Sequence, residues 1–392
     1  MPSSLGGQKK GAYSNDLLSR LHLSSGVFAV ASVVGITNPA WHNTGLFQLW
    51  SEREPVVRII GLLLVWCLSL NAQAVMVSDL YEMQVAVADQ SVASRAPAMQ
   101  EALMLVLVKV AGEQSAAHHE LLQQQLSNPD VFVKSFRYVR DEADGSLQLK
   151  VTFAQNLIDD LLRQAQLPVW GKSRPLVLLW QAVEDKRQRL VLNQNDQQWR
   201  LQMERAMSER GIPLLWPALD MEDQIALPVG SLWGLFRADV RKASERYMAD
   251  AQMAGRLAPA AGIGFAYRGF LLHRDEALEL SAEGEDVLAV LRQIADQVAV
   301  FLAQRYAVRN QGETSGQMIM VSGVDNFRQY HELLAYLNSN NAIDQVHIRS
   351  VDTNNLILEL DLAADWAQVW SVLALDRRLV ATEQPQVYRW QP

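Results

Sequence analysis

The chain has 392 residues, of which 49% are hydrophobic and 20% are charged, and this balance is typical of folded globular proteins. The formal net charge is −8, and no cluster of Lys and Arg is interleaved with aromatic residues, which argues against nucleic acid or anionic membranes as partners. With Cys67 as its single cysteine, the chain cannot form an internal disulfide.

Residues 1–52 show no sustained helical periodicity. Their apolar patch, Val27 to Ile36, is too short to span a membrane. Two interpretations stay open: a cytoplasmic extension, or a start codon assigned too early, with translation beginning at Val56 or Val57. We favour the second, and we expect residues 1–52 to be disordered or loosely placed.

Residues 53–74 have the three parts of a secretory signal peptide. Arg58 precedes an apolar core, Ile59 to Leu70, and Ala72-Gln73-Ala74 provides the small residues of a cleavage site. We predict export with cleavage after Ala74, which leaves no cysteine for catalysis or metal binding. A membrane span needs about 20 apolar residues, so a retained anchor is the weaker alternative.

Two segments punctuated by Pro, Gly and Ser predict linkers at 167–175 and 310–317. They divide the mature chain into an N-terminal α+β domain, a central α/β domain and a C-terminal domain, predicted over 75–166, 175–310 and 317–392.

The first predicted domain has the order strand, helix, hairpin, helix. Its elements are a strand through Met83 and Val85, a helix from Ser94 to Ala111, a hairpin of Val131–Arg140 with Leu147–Phe153, and a helix from Ala154 to Gln166.

The second predicted domain alternates strands and helices, which favours a partly parallel sheet. Strands are predicted at Leu176–Trp180, Arg189–Leu192, Ile212–Pro217, Tyr247–Leu257, Gly264–His273 and Ala277–Ala282, and helices at Asp196–Arg210, Leu232–Arg246 and Asp286–Tyr306.

The third predicted domain has the order βαββαβ, with Val387–Trp390 as its last strand, and this is the ferredoxin-like arrangement. The predicted fold class is therefore α/β and α+β in three small modules.

Catalytic and cofactor motifs are missing from the mature sequence. It has no Walker loop, no Gly-x-Ser-x-Gly elbow and no Ser-x-x-Lys. His118-His119-Glu120 is the only histidine cluster, and without a third ligand we interpret it as a solvated helix start. We predict no cofactor, no metal and no catalytic residue.

Asp220, Glu222 and Asp223 form an acidic group after the predicted strand Ile212–Pro217. Ligands often bind at the carboxyl ends of strands, so a cation or sugar site is one interpretation. The favoured one is a helix N-terminus, where carboxylates cap free amides.

The first linker carries Trp170, Lys172 and Arg174. Trp170 is predicted to wedge into a seam between domains. Lys172 and Arg174 are either part of that architecture, which we favour, or two solvated cations that recognise an anionic partner or ligand.

A resemblance covers most of residues 75–310. The chain resembles the bacterial periplasmic family catalogued as domain of unknown function 2066. The residues that carry it are Asp79-Leu80-Tyr81-Glu82, Val87 to Ser91 with Arg95, Leu103 to Gly112, Leu167 to Gly171 with Arg174-Pro175, Gly211 to Leu214, Trp233-Gly234, Ala243 to Asp250, and Gly255-Arg256-Leu257. The resemblance implies a periplasmic protein and no known activity, and residues 1–52 have no counterpart in it. More faintly, the first two domains resemble envelope accessory proteins that bind partners.

Two hypotheses follow. The first is an exported, non-enzymatic binding or accessory protein of the cell envelope, with an envelope protein as partner and no stable membrane span after cleavage. The alternative is a periplasmic enzyme or ligand-binding protein with its site in a cleft between the first two domains, near Trp170, Arg174 and the Asp220–Asp223 loop.

Overall fold

A computed structural model describes residues 77–141, 145–309, 315–352 and 354–392 of the protein. These residues contain ten α-helices and three β-sheets, which confirms a mixed α and β protein. The predictions for residues 1–52 and 53–74 lie outside the described residues, as does 310–314 in the second predicted linker.

The first sheet has the strand order β1-β3-β2 and is antiparallel throughout. One face packs on the first helix through Met83, Val85, Leu149 and Val151, and the other face is polar. The elements are β1 (Glu82–Ala86), α1 (Val92–Ala111), α2 (Glu120–Gln125), β2 (Val133–Arg140), β3 (Leu147–Phe153) and α3 (Gln155–Gln164), with 3-10 turns at Gln114–His118 and Pro129–Phe132.

Helix α1 begins earlier than the sequence predicted. The side chain of Ser91, not Ser94, caps it by accepting a hydrogen bond from the Ser94 amide at 3.2 Å. Pro97 therefore lies inside the helix, beyond its first turn. Gly112 ends the helix at φ 77°, a left-handed conformation that glycine adopts without strain.

The central sheet has the order β5-β4-β7-β8-β9, and the short strand β6 also pairs with β4. Helices cover both faces, so β4 is buried along most of its length. The elements are β4 (Val177–Asp185), β5 (Gln188–Val191), α4 (Gln197–Glu209), β6 (Leu214–Leu215), α5 (Met221–Ala226), α6 (Val229–Trp233), α7 (Arg237–Ser244), β7 (Ala251–Ala260), β8 (Gly264–His273), β9 (Glu276–Gly284) and α8 (Val287–Tyr306).

Two predictions for this region need correction. The predicted helix Leu232–Arg246 is two helices, α6 and α7, because Leu235 breaks it with a φ of 55°. The predicted strand Tyr247–Leu257 begins only at Ala251 and runs on to Ala260.

The C-terminal sheet has the order β11-β12-β10-β14-β13. Its elements are β10 (Ser315–Ser322), α9 (Phe327–Asn338), β11 (Ile343–Asp352), β12 (Asn355–Leu362), α10 (Trp366–Leu373), β13 (Leu379–Ala381) and β14 (Val387–Trp390), with a 3-10 turn at Ala374–Asp376.

The last strand differs from the predicted βαββαβ pattern. The chain makes an extra hairpin after α10, so β13 takes the outer edge and β14 turns back to lie beside β10. As a result β14 runs parallel to β10. One buried cluster contains residues of both the central and the C-terminal sheets. The division into three small modules stays a prediction.

Helix α8 is, among the described residues, the one long and apolar enough to cross a membrane. Half of it is buried inside the protein, as in the core helix of a soluble domain, so it is weak support for a membrane span.

Candidate binding cleft

The side chain of Arg174 is buried, with 3% of its surface exposed. Each of its five N–H groups donates to a main-chain carbonyl at 2.8–3.2 Å. The acceptors are the carbonyls of Lys109, Trp170, Gly171, Arg210 and Gly211. Arg174 thereby joins the ends of α1 and α4 to the linker. Burial lowers its pKa to about 9.

The alternative interpretation of Arg174 as a solvated cation is therefore wrong. No N–H group of its guanidinium is left to donate to an anionic partner, because the carbonyls of two helix ends and of the linker accept them all.

Trp170 is fully buried, and its ring centre lies 3.9 Å from the Arg174 guanidinium carbon. Its amide donates to the Val110 carbonyl at 2.7 Å, which holds the linker against α1. Lys172 is half-buried, with its ammonium 5.8 Å from the centre of the Tyr81 ring. The geometry of Trp170 is that of an inter-element wedge.

The acidic group is engaged in capping α5. Asp220 accepts a hydrogen bond from the Asp223 amide at 3.0 Å, and Arg246 donates to both Asp220 oxygens at 2.8 Å. This Arg246 contact lowers the pKa of Asp220 to about 2. Glu222 lies 3.5 Å from the same guanidinium, and buried Asp223 accepts from the Tyr247 hydroxyl at 2.5 Å.

These contacts have the geometry of the helix N-terminus that the sequence favoured. Asp220, Glu222 and Asp223 line none of the cavities described below, and the structure does not bring them to Trp170 or Arg174. Among the described residues, no group of three or more His, Cys, Asp or Glu side chains could hold a metal ion.

A cleft of about 900 Å³ lies between the first sheet and α4. One wall is the polar side of the sheet, and the other is a helix face that the central sheet supports. It is lined by Asp79, Glu82, Met83, Gln84, Lys109, Arg137, Val139, Arg140, Asp141, Gln148 and Lys150 on the first side, and by Gln197, Gln198, Leu201, Gln202, Glu204, Arg205, Ser208, Glu209 and Leu288 on the second.

The outer edge of β1 borders this cleft. Glu82, Met83 and Gln84 line it in succession, although neighbouring side chains of a strand point to opposite faces. Residues from both faces can share one boundary only at the strand's edge. Among the described strands, the sheet order places β1 outermost, beside β3.

Lys109 closes the inner end of the cleft. Only 2% of its surface is exposed, and its ammonium donates to the Asp79 and Glu82 carbonyls at 3.0 and 3.4 Å. Burial lowers its pKa to about 8, and the positive charge of nearby Arg174 acts in the same direction. The lysine therefore holds the start of β1 to the end of α1.

Gln148 lies on the polar face of β3 and is 2% exposed. Its amide nitrogen donates to the Ser146 hydroxyl at 2.9 Å, but its Oε1 has no hydrogen-bond partner among the described residues. A buried acceptor without a partner is uncommon and costs about 1–3 kcal/mol. Turning the amide over would only leave its nitrogen unpaired instead.

The described residues that line the cleft are balanced in charge. They include five cations and five carboxylates, which are Lys109, Arg137, Arg140, Lys150 and Arg205 against Asp79, Glu82, Asp141, Glu204 and Glu209. Lys150 pairs with Glu82 at 2.6 Å, and Arg205 reaches across to Asp141 at 3.1 Å. Five glutamines complete the polar lining: Gln84, Gln148, Gln197, Gln198 and Gln202.

A smaller groove of about 300 Å³ adjoins the cleft and shares Asp79, Glu204 and Ser208 with it. Its far wall includes Trp216, whose indole N–H donates to Glu204 at 2.7 Å.

Sequence reasoning did not find Lys109 or Gln148. The one available signal for Lys109 was a single charge inside the apolar run Leu103 to Ala111. A lysine in such a run is almost never fully buried unless it is paired. Gln148 gave no signal, because alternating strands carry polar residues on their open face as a rule.

The comparisons with known proteins bear on the first side of the cleft. Residues 74–171 match a family described as a domain of unknown function (DUF8605). This match includes the first sheet with Lys109 and Gln148, but not α4 on the opposite side. The curated proteins contain no match to the chain.

Proposed function

We propose that the protein is an exported, non-enzymatic binding or accessory protein of the cell envelope, which holds part of a protein partner in the cleft between the first sheet and α4. Export and a periplasmic location rest on the signal peptide predicted at 53–74 and on the resemblance to domain of unknown function 2066. The division into three modules belongs to the same proposal.

The observation that carries the proposal is the buried Oε1 of Gln148 in the cleft wall. The free-energy cost of leaving this oxygen without a hydrogen bond is removed when a bound molecule donates an N–H group to it. The cleft is open to solvent along α4, where Gln197, Gln198 and Ser208 are exposed. A partner can therefore enter without unfolding either wall.

A small polar ligand, or the substrate of an enzyme, is the second candidate for the same cleft. Its volume favours this, since pockets for small molecules span roughly 300–1,000 Å³. In this alternative the occupant is released as a small molecule when the purified protein is denatured, and mass spectrometry detects it.

Photocrosslinking in living cells tests the proposal. A photoreactive amino acid replaces exposed Gln198 in the cleft of the full chain, and in the control it replaces exposed Lys242 on α7, outside the cleft lining. We expect a covalent adduct with an envelope protein from position 198 and none from position 242. Equal adducts from both positions, or no protein adduct from either, would contradict the proposal.

A further inference from the structure

The outer edge of β1 has main-chain groups that no described strand pairs. Phe153 donates its amide to the Tyr81 carbonyl, and Val87 donates to the Leu147 carbonyl, so the odd-numbered residues face β3. In an antiparallel pair the alternate residues point away from the partner strand. The N–H and C=O groups of Gln84 and Ala86 therefore point outward, and Gln84 borders the cleft.

Lys109 fixes where this free edge starts. Its ammonium already donates to the outward carbonyl of Glu82, and the Glu82 amide donates to the Asp79 carbonyl. The outward main-chain groups of Glu82 are thus already hydrogen-bonded and cannot pair with another strand. The outward N–H and C=O of Gln84 are the first along this edge that can.

Gln148 lies next to this edge. It is in register with Ala86 of β1, and Lys150 is in register with Gln84, so these four side chains share the polar face. The unpartnered Oε1 of Gln148 accepts hydrogen bonds only. With the amide in the orientation that pairs its nitrogen with Ser146, the missing group is an N–H or O–H donor from the cleft.

The charges of the cleft select for a neutral, amide-like occupant. Among the described residues of the lining, cations and carboxylates are equal in number, and five glutamines supply both donors and acceptors. A peptide main chain has the same alternation of N–H and C=O groups and no net charge. An unpaired strand edge is a ready template for such a segment.

We propose that an extended segment of the partner polypeptide adds to the outer edge of β1 from Gln84 onward, with a side-chain N–H group of that segment reaching over the polar face to donate to Oε1 of Gln148. This inference rests on the proposed function and names the mode of binding. A strand advances about 3.3 Å per residue, so a segment of about three residues covers the open edge from Gln84 to Ala86.

A library of phage-displayed random ten-residue peptides provides the probe. It is selected on the full chain, and the affinity of one synthesised peptide is measured by fluorescence anisotropy. The decisive variant is Gln84→Pro, which removes the outward N–H and leaves the pairing with β3 intact, since proline is tolerated where a strand's N–H faces solvent. Gln84→Ala is the matched control, because it removes the side chain and keeps the N–H.

We expect Gln84→Pro to weaken peptide binding at least tenfold and Gln84→Ala to weaken it less than threefold, with thermal unfolding of both near that of the wild type. If Gln84→Pro unfolds the protein, Gln148→Leu is used as the test variant instead. That variant should also weaken binding at least tenfold without lowering the melting temperature, because it removes an unpaired buried oxygen. A merely structural glutamine would lower the melting temperature instead.

Selection of no peptide, or of peptides whose affinity neither variant changes, overturns strand addition. Binding of the glycan probe chitohexaose that displaces the peptide and is insensitive to Gln84→Pro overturns it as well. The crosslinking from position 198 is read separately. If the protein adduct persists in Gln84→Pro, the strand pairing is wrong but the proposed function still stands. If the wild-type protein forms no protein adduct, the proposed function itself is wrong.

Discussion

The guanidinium of Arg174 stacks on the ring of Trp170 at 3.9 Å, and both side chains are buried where α1, α4 and the first linker meet. This pair fixes the end of α1, which carries Lys109, relative to α4, which forms the opposite wall of the cleft. The junction therefore ties together the two helix ends beside the cleft.

Arg174→Lys should destabilise the protein strongly. A lysine has three N–H groups, so at least two of the five carbonyls lose their donor, and the free energy of unfolding should fall by about 2–5 kcal/mol. Urea denaturation measures this. Lys172→Ala is the control and should change stability by less than about 0.5 kcal/mol. Equal, small effects of both would show that Arg174 is not the structural centre of the junction.

Gly255 on β7 makes room for the ring of Tyr267 on β8. A Cβ atom at Gly255 would lie 1.8 Å from the Tyr267 hydroxyl oxygen, so Gly255→Ala should cost about 1–3 kcal/mol through overpacking. In a Tyr267→Ala background the additional cost should fall below about 1 kcal/mol, because the clash is gone. A cost that is unchanged in that background would contradict this packing.

The same tyrosine offers a second test. The Tyr267 hydroxyl is buried and has no hydrogen-bond partner among the described residues. Removing it in Tyr267→Phe should leave the free energy of unfolding unchanged or raise it. A clear loss of stability in thermal denaturation would indicate that the hydroxyl does have a partner.

His273 should make stability depend on pH. Its Nδ1 donates to the Asp250 carbonyl at 3.0 Å, and its Nε2 lies 2.9 Å from the Tyr306 hydroxyl, which donates to it when the ring is neutral. Burial lowers its pKa, and the charges of Arg274 and Arg305 lower it further.

The sign follows from the unfolded chain, where a histidine has a pKa of about 6.5. Below that pH the unfolded state binds a proton that the folded state does not. The stability associated with His273 is therefore fully present above about pH 6.5 and is lost as the pH falls. His273→Gln should therefore lose less stability than the wild type between pH 7.5 and pH 5. Buried Asp159, Asp250 and Asp376 act with the opposite sign, but they are present in both proteins. Identical pH profiles would rule out a neutral buried His273.

The proposed export predicts a defined N-terminus. Protein recovered from the periplasm should begin at Val75, which N-terminal sequencing determines. A folded periplasmic protein that still carries residues 1–52 would contradict the predicted signal peptide.

Local patterns predicted many of the elements, because periodicity and turn residues are properties of neighbours in the chain. The hairpin of β2 and β3 and the helix α4 lie within a residue or two of their predicted bounds. The hairpin of β13 and β14 was not predicted, because β13 has only three residues and its place is set by pairing with β14.

The site was harder to predict for a related reason. The role of Arg174 depends on carbonyls from residues up to 65 positions away, and no sequence pattern records such contacts. The edge of β1 becomes a cleft wall only because α4 faces it. The acidic group, by contrast, was favoured as a helix cap, since capping is decided within one turn.

Blocking the cleft tests the central claim most directly. Ser208 is exposed and lines both the cleft and its side groove, so Ser208→Trp fills them, whereas Lys242→Trp adds the same ring on α7, outside both linings. The measured quantity is the yield of the protein adduct that the crosslinker at position 198 forms in cells. We predict at least a fivefold loss in Ser208→Trp and none in Lys242→Trp, both at wild-type levels of folded protein. An undiminished adduct in Ser208→Trp would contradict the claim that the partner binds in this cleft.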